Sequence, residues 1–179
     1  MSSRGSSGTA GNREPDPGGP TLAERAGPEA AAVAGRLFAG DLSPEVMEAF
    51  GRLVVPHDAG PRHADVPGRL FPLIPRSVDV MRAFFGGLSA RYDLRRRLAG
   101  IAVPTLVVAG GHDWVCPPRA SRTIAGGIPG ARLVVLPEAG HSPFSEEPDQ
   151  FHEAVGDFLA ACTGSSAGCH PSATPVANT

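Results

Sequence analysis

Two residues of this 179-residue chain have the type and placement for proton-transfer chemistry, Asp113 and His141. Each stands in a short loop just after an apolar, β-branched run bounded by Gly or Pro. The first run covers 105–109 and leads through Gly110-Gly111-His112 to Asp113; the second, 132–136, leads through Pro137-Glu138-Ala139-Gly140 to His141. Runs of that length and composition predict strands buried on both faces. Between them, residues 117–128 predict a helix, with Pro117 and Pro118 to start it and Gly126-Gly127 to stop it. Strand, helix, strand makes a βαβ unit, so the strands should lie parallel with a right-handed crossover. Both loops then leave the carboxyl edge of one sheet, where open α/β sheets keep their chemistry. An acid beside a histidine there makes two thirds of a nucleophilic triad: the carboxylate fixes the imidazole tautomer and stabilises the imidazolium. With an ordinary pKa of about 6.5, the imidazole can take and return a proton at neutral pH.

The remaining elements must hold that pair. Residues 1–20 are almost entirely Ser, Gly, Pro and charge. They bury too little apolar surface to offset their ordering entropy and are expected to be disordered. From 21 to 98 the pattern is helical. Thr21 with Glu24 forms a capping box ahead of a helix-favouring body at 30–38. Ser43-Pro44-Glu45 places Ser at an N-cap and Pro at the first helical position, leading into Met47, Phe50 and Leu53. Pro61, Pro67, Pro72 and Pro75 predict a loop over 57–75, and 78–88 is helical again, with Val80, Met81, Phe84 and Phe85 on one side. After His141, residues 146–161 predict a closing helix carrying Phe151, Val155, Phe158 and Leu159 at helical spacing. Residues 163–179 turn small and polar, as a disordered tail would.

Composition narrows the class. A chain of this length can bury one real core, and its 41% hydrophobic content, diluted by 23 Gly and 19 Pro, is that of a soluble globular protein. Formal net charge is −2, and all 16 basic residues are Arg. A nucleic-acid partner would need a basic stripe; the one cluster, Arg95-Arg96-Arg97, reads as a solvated helix face. No apolar run reaches the length of a membrane span, and the N-terminal residues lack a signal-peptide apolar region. Cys116, Cys162 and Cys169 make no disulfide framework, which fits a reducing compartment. A cytoplasmic protein with no nucleic-acid and no membrane partner is the expectation.

V-P-T-L-V-V-A-G-G-H-D-W-V-C-P-P at 103–118 and P-E-A-G-H-S-P-F-S-E-E-P at 137–148 resemble the C-terminal part of an α/β-hydrolase. The style is that of the proline-iminopeptidase-like serine hydrolases. The clear resemblance covers about 101–159, with a looser one back to about residue 21. It implies an α/β fold of partial α/β-hydrolase type: a helical cap at 21–98, then the last two parallel strands and flanking helices of the core at 99–162. In that family the chain order is Ser, Asp, His, which makes Asp113 the triad acid and His141 the general base. The implied reaction is hydrolysis of an ester or amide through an acyl-enzyme, including release of an N-terminal aminoacyl or prolyl residue. A small molecule or short peptide is the implied substrate, with neither cofactor nor metal.

The family's nucleophile is a Ser in G-x-S-x-G, on a sharp strand-to-helix turn ahead of the cap. Gly164-Ser165-Ser166-Ala167-Gly168 has those letters but follows the histidine, in a Ser/Gly/Ala-rich tail with no strand before it. Gly87-Leu88-Ser89 continues as Ala90-Arg91 and fails. The nucleophile half is therefore expected to lie outside these residues, with a complementary N-terminal hydrolase half as a partner. The competing reading is a truncated fragment or interaction partner without activity of its own. Other candidates have plainer readings beside the functional ones. Asp113 could cap the helix that follows, and Trp114 could line a cavity or pack under the loop. His112 reads as a loop residue; Cys116 invites a nucleophile reading but sits in the acid's loop rather than at a strand-to-helix elbow, and reads as a small packing residue. His57, Asp58, His63 and Asp65 lack a metal-site spacing and read as solvated loop. Asp41, Glu45 and Glu48 are the cap acids that the resemblance would offer to a substrate amino group, against a solvated helix face.

Overall fold

The computed structural model describes residues 21–164. The disorder expected for 1–20 and for most of the tail, Ser166 included, lies outside the described residues.

Helix α1, Leu22–Phe38, begins with the predicted capping box. The Thr21 hydroxyl accepts from Glu24 N at 3.2 Å, and Glu24 Oε2 accepts from Thr21 N at 2.7 Å, which satisfies two donors that a helix start leaves orphaned. The helix breaks at Gly27, whose φ of 86° is open to glycine at little cost, and restarts at Pro28. Helix α2, Pro44–Leu53, starts on Pro44 as predicted, but Ser43 makes no side-chain capping bond. Asp41 Oδ1 instead accepts from Ser43 N at 3.2 Å. The two helices bury Leu22, Ala30, Ala34 and Val54, with Phe38, Phe50 and Trp114 packed against them. Trp114 lies just beyond the first strand, so this cluster ties the helical region to the sheet.

The stretch predicted as loop over 57–75 is instead a chain of short helical turns: Val55–His57, Pro61–His63, α3 at Val66–Leu70, and Phe71–Leu73. Each carries proline at its first or second position. A proline there forfeits only an N–H that the turn would leave unpaired, so it starts a turn where it would break a helix interior. Helix α4, Val78–Ala83, widens into a π-helical turn at Phe84–Leu88 before α5, Ser89–Arg91. Phe84 and Phe85 meet edge to face there, with ring centroids 5.2 Å apart.

Strands β1, Leu106–Gly110, and β2, Arg132–Leu136, pair in parallel, from Leu106 opposite Arg132 to Gly110 opposite Leu136. Helix α6, Pro118–Gly127, connects them. The expectation of strands buried on both faces holds only at their carboxyl ends, where Ala109, Gly110 and Leu136 are buried. Among the described residues the sheet has two strands, so each keeps one unpaired edge and the amino-terminal halves stay half-exposed. Helices α7, Pro143–Glu146, and α8, Pro148–Gly164, close the chain. The closing helix thus starts two residues after its predicted first residue. It also takes in Thr163 and Gly164, the first residues of the predicted tail. Among the described residues no helix is long and apolar enough to cross a membrane.

Candidate active site

The loops after β1 and β2 continue side by side beyond the strands. Gly111 N donates to Leu136 O and His112 N to Ala139 O, both at 2.8 Å. Such contact requires glycine. A Cβ on Gly110 would overlap the carbonyl oxygen of Gly140, and one on Gly140 would overlap the Asp58 carbonyl. Gly110 and Gly111 ahead of Asp113 are therefore the steric condition for bringing the two loops together, and Gly140 ahead of His141 is the condition for seating its loop on the 58–59 backbone.

Asp113 is buried, and both its carboxylate oxygens are engaged. Oδ1 accepts from Val115 N and Cys116 N, each at 2.8 Å, and Oδ2 faces His141 Nδ1 at 3.0 Å. Two bonds from its own loop orient the acid, and the third orients the histidine. The alternative reading of Asp113 as a local cap is thus part of the geometry: one oxygen holds the loop, the other reaches the imidazole. A carboxylate can only accept, so the proton sits on Nδ1 and the lone pair on Nε2, across the ring. The His141 side chain is 42% exposed while Asp113 is 8% exposed, so the ring presents its far nitrogen from a buried support. The hydrogen bond to Asp113 holds the imidazole above its ordinary pKa; burial pulls the other way, and the charges of Asp113, Asp58 and Glu146 add to the rise.

Three residues that sequence reasoning did not single out as site residues hold this pair. Glu146 is buried at 4% exposure and accepts three backbone N–H groups. These are Gly140 at 2.6 Å, Gly60 at 2.7 Å and Ser142 at 2.8 Å. It thereby grips the backbone on both sides of His141 and ties it to the 58–60 segment. In sequence it reads only as the start of the closing helix. The one local signal is its place four residues after Ser142, within reach of that amide. Arg25 of α1 donates to the carbonyls of His112 and Ala59, clamping the acid loop to the same segment. Asp58 accepts from Trp114 Nε1 at 3.1 Å, and its carbonyl accepts from His141 N at 2.8 Å. Burial pushes the Asp58 carboxyl up to about 6, opposed by His141 and the Trp114 bond.

The remaining candidates separate. Trp114 does both things weighed for it, packing on Phe38 with centroids 6.4 Å apart and lining a cleft. Cys116 is exposed rather than packed away, and desolvation of its sulfur with the nearby Asp113 charge pushes the thiol up to about 11. It is therefore protonated at neutral pH and a poor nucleophile. His63 pairs with Glu147 at 2.8 Å and Asp65 with Arg69 at 3.2 Å, so the 57–65 group does not converge. Asp41 pairs with Arg36 at 2.7 Å, while Glu45 and Glu48 are exposed on α2. The cleft, about 790 Å³, is walled by Phe38, Phe84, Phe85, Tyr92, Leu98 and Trp114, and Asp113 also lines it. None of the three cap acids lines it.

Comparison with known proteins identifies the fold. A family described as alpha/beta hydrolase fold matches residues 35–148. A pimeloyl-[acyl-carrier protein] methyl ester esterase of Xanthomonas campestris is 40% identical over 75 residues, 42% of this chain and 30% of the esterase. Among solved structures, a hydrolase from Pseudomonas aeruginosa is 32% identical with a TM-score of 0.56. A thermophilic esterase from Thermogutta terrifontis is 26% identical with a TM-score of 0.58. Each of these two alignments covers 73% of this chain and 50% of the other. The chain thus spans about half the length of those structures and under a third of that esterase. It belongs to the alpha/beta hydrolase fold family.

Proposed function

We propose that this chain supplies the acid and the general base of a serine hydrolase acting on esters. The observation that carries the reading is the Asp113–His141 pair itself: a buried carboxylate 3.0 Å from Nδ1 of an exposed imidazole, at the carboxyl edge of a parallel sheet. His141 Nε2 takes the proton of a serine hydroxyl as its oxygen attacks the ester carbonyl. Asp113 stabilises the imidazolium, which then protonates the departing alcohol. In the second half, His141 takes a proton from water as its oxygen attacks the acyl-enzyme, then gives that proton to the departing serine oxygen, which frees the acid and restores the serine. The serine and the oxyanion donors come from polypeptide outside these residues, a complementary N-terminal hydrolase half. No cofactor enters this scheme. The open edge of β1 or β2 offers such a half unpaired backbone groups on which to extend the sheet.

The cleft supports an ester with an apolar acyl part over a peptide amino terminus. Its wall is aromatic and aliphatic, and Asp93, which also lines it, is taken up by Arg95 at 2.7 Å. A proline-iminopeptidase-like activity would call for a carboxylate free to hold the substrate's amino group. The odd number of cysteines, three, favours a cytoplasmic setting.

Complementation tests the reading. The 179-residue chain alone should leave p-nitrophenyl acyl esters and prolyl amides at background rate, with Ser166 unlabelled by a serine-directed phosphonate. Co-expression with an N-terminal hydrolase half carrying a G-x-S-x-G elbow should yield ester turnover exceeding that on prolyl amides. Turnover by the lone chain that is lost on Ser166→Ala would overturn it and make the tail serine the nucleophile.

A further inference from the structure

The acid loop brings a third donor to the same spot. Asp113, Cys116 and His141 each offer one ligand atom, and the three atoms lie within 4.8 Å of one another. We propose that these residues form a binding site for one thiophilic divalent cation of the zinc class. Nothing in the hydrolase scheme uses the Cys116 thiol, so the site is an addition to that scheme.

The donor set decides the ion. A thiolate, an imidazole and a carboxylate together match zinc and its neighbours, whereas magnesium and calcium prefer all-oxygen shells. Three protein ligands with a fourth position open to solvent is a familiar zinc arrangement. Zinc lies about 2.0–2.3 Å from N, O and S donors, so tetrahedral ligand atoms sit roughly 3.3–3.6 Å apart. The pair Asp113 Oδ2 and His141 Nδ1, 3.0 Å apart, must open by only about 0.3 Å to reach that spacing. The thiol must close by about an ångström, from a spacing of at most 4.8 Å. It is the side chain best able to do so, because Cys116 is exposed while its backbone is held by the bond from its N–H to Asp113 Oδ1. His141 is exposed as well, so the ion reaches the site from solvent. Binding displaces the thiol proton and the Nδ1–H hydrogen bond; the buried Asp113 is the anchor on which both mobile donors close.

The functional consequence rests on the hydrolase reading. A cation there breaks the Asp113–His141 hydrogen bond and removes the oriented base, so the ion would inhibit reversibly. The binding itself does not depend on that reading and can be followed without turnover.

Cobalt(II) is the probe, added to the full 179-residue chain kept reduced with a phosphine. The expected result is a thiolate-to-cobalt charge-transfer band with tetrahedral ligand-field absorption, saturating at one equivalent and bleached by zinc(II). Cys116→Ser and His141→Ala should each abolish the band, and Asp113→Asn should weaken cobalt binding. The double variant Cys162→Ser/Cys169→Ser should retain the band. Absence of a band in excess cobalt would overturn the proposal. So would a band that survives Cys116→Ser, which would place the ion on another thiol, or one that survives His141→Ala, which would reduce the site to a lone cysteine. Because absorption is read without substrate, a failed cobalt titration leaves the ester-hydrolase reading standing. A failed complementation likewise leaves the cobalt result standing.

Discussion

In the enzyme completed by a nucleophile half, Asp113→Asn should lower kcat by about 10⁴-fold, and His141→Ala should bring turnover to background. The two effects differ in cause. Asparagine can keep Oδ1 as acceptor for Val115 N and Cys116 N, so the loop that those 2.8 Å bonds hold should survive. Its NH₂ group would then face His141 Nδ1 in place of Oδ2. A donor there favours the tautomer with the proton on Nε2, the nitrogen that must accept from serine, and the base is lost while the fold remains. Removing the imidazole leaves no group able to shuttle the proton. Initial-rate kinetics on an acyl ester, with circular dichroism confirming unchanged folding, separate these outcomes from a collapsed loop. Losses for the two changes in one protein should not add, because acid and base act as one unit.

Glu146→Ala should be the most destabilising single substitution near the site. Its carboxylate accepts from Gly60, Gly140 and Ser142 within 2.8 Å, in a position only 4% exposed. Alanine leaves three backbone N–H groups without their acceptor. At about 1–3 kcal/mol for each unsatisfied buried group, the loss should be about 3 kcal/mol or more, read as a lowered urea midpoint with an unchanged m-value. Glu146→Gln keeps one acceptor oxygen and turns an NH₂ toward the other donors, so it should fall between. Asp79→Ala, which removes an exposed pair with Arg82, should move the midpoint little. A Glu146→Ala protein as stable as the parent would remove this carboxylate from the account of how His141 is held.

Asp113 and His141 are legible in the sequence because everything that places them is local. A β-branched run sets each strand, a glycine pair permits the loops to touch, and the βαβ order brings both loops to one edge. The capping box at Thr21 and Glu24 is legible for the same reason. The supports are not. Glu146 meets Gly60, 86 positions away, and Arg25 meets the carbonyl of His112, 87 positions away. No periodicity links such partners, and a buried acid that grips backbone amides looks, in sequence, like any helix-start glutamate. In sequence Asp58 belongs only to a loop group with metal-type residues; its partners, Trp114 and the His141 amide, lie in the other half of the chain. Counting proline as a breaker makes 57–75 read as loop, whereas its position within each turn makes it a starter. The half-exposed strands miss expectation for a simpler reason: β-branched runs report the burial that a full sheet provides, and two strands give only part of it.

A pH titration of the six histidines in the 179-residue chain by NMR tests the central claim most directly, since it needs no nucleophile and no substrate. His141, assigned by its absence in His141→Ala, should titrate above the ordinary 6.5, because the hydrogen bond to Asp113 favours the imidazolium. Asp113→Asn should bring it down, while Asp41→Asn leaves it in place. Titration of His141 at or below the ordinary value, unmoved by Asp113→Asn, would contradict the account: the two side chains would then be neighbours in space without acting as an acid–base pair.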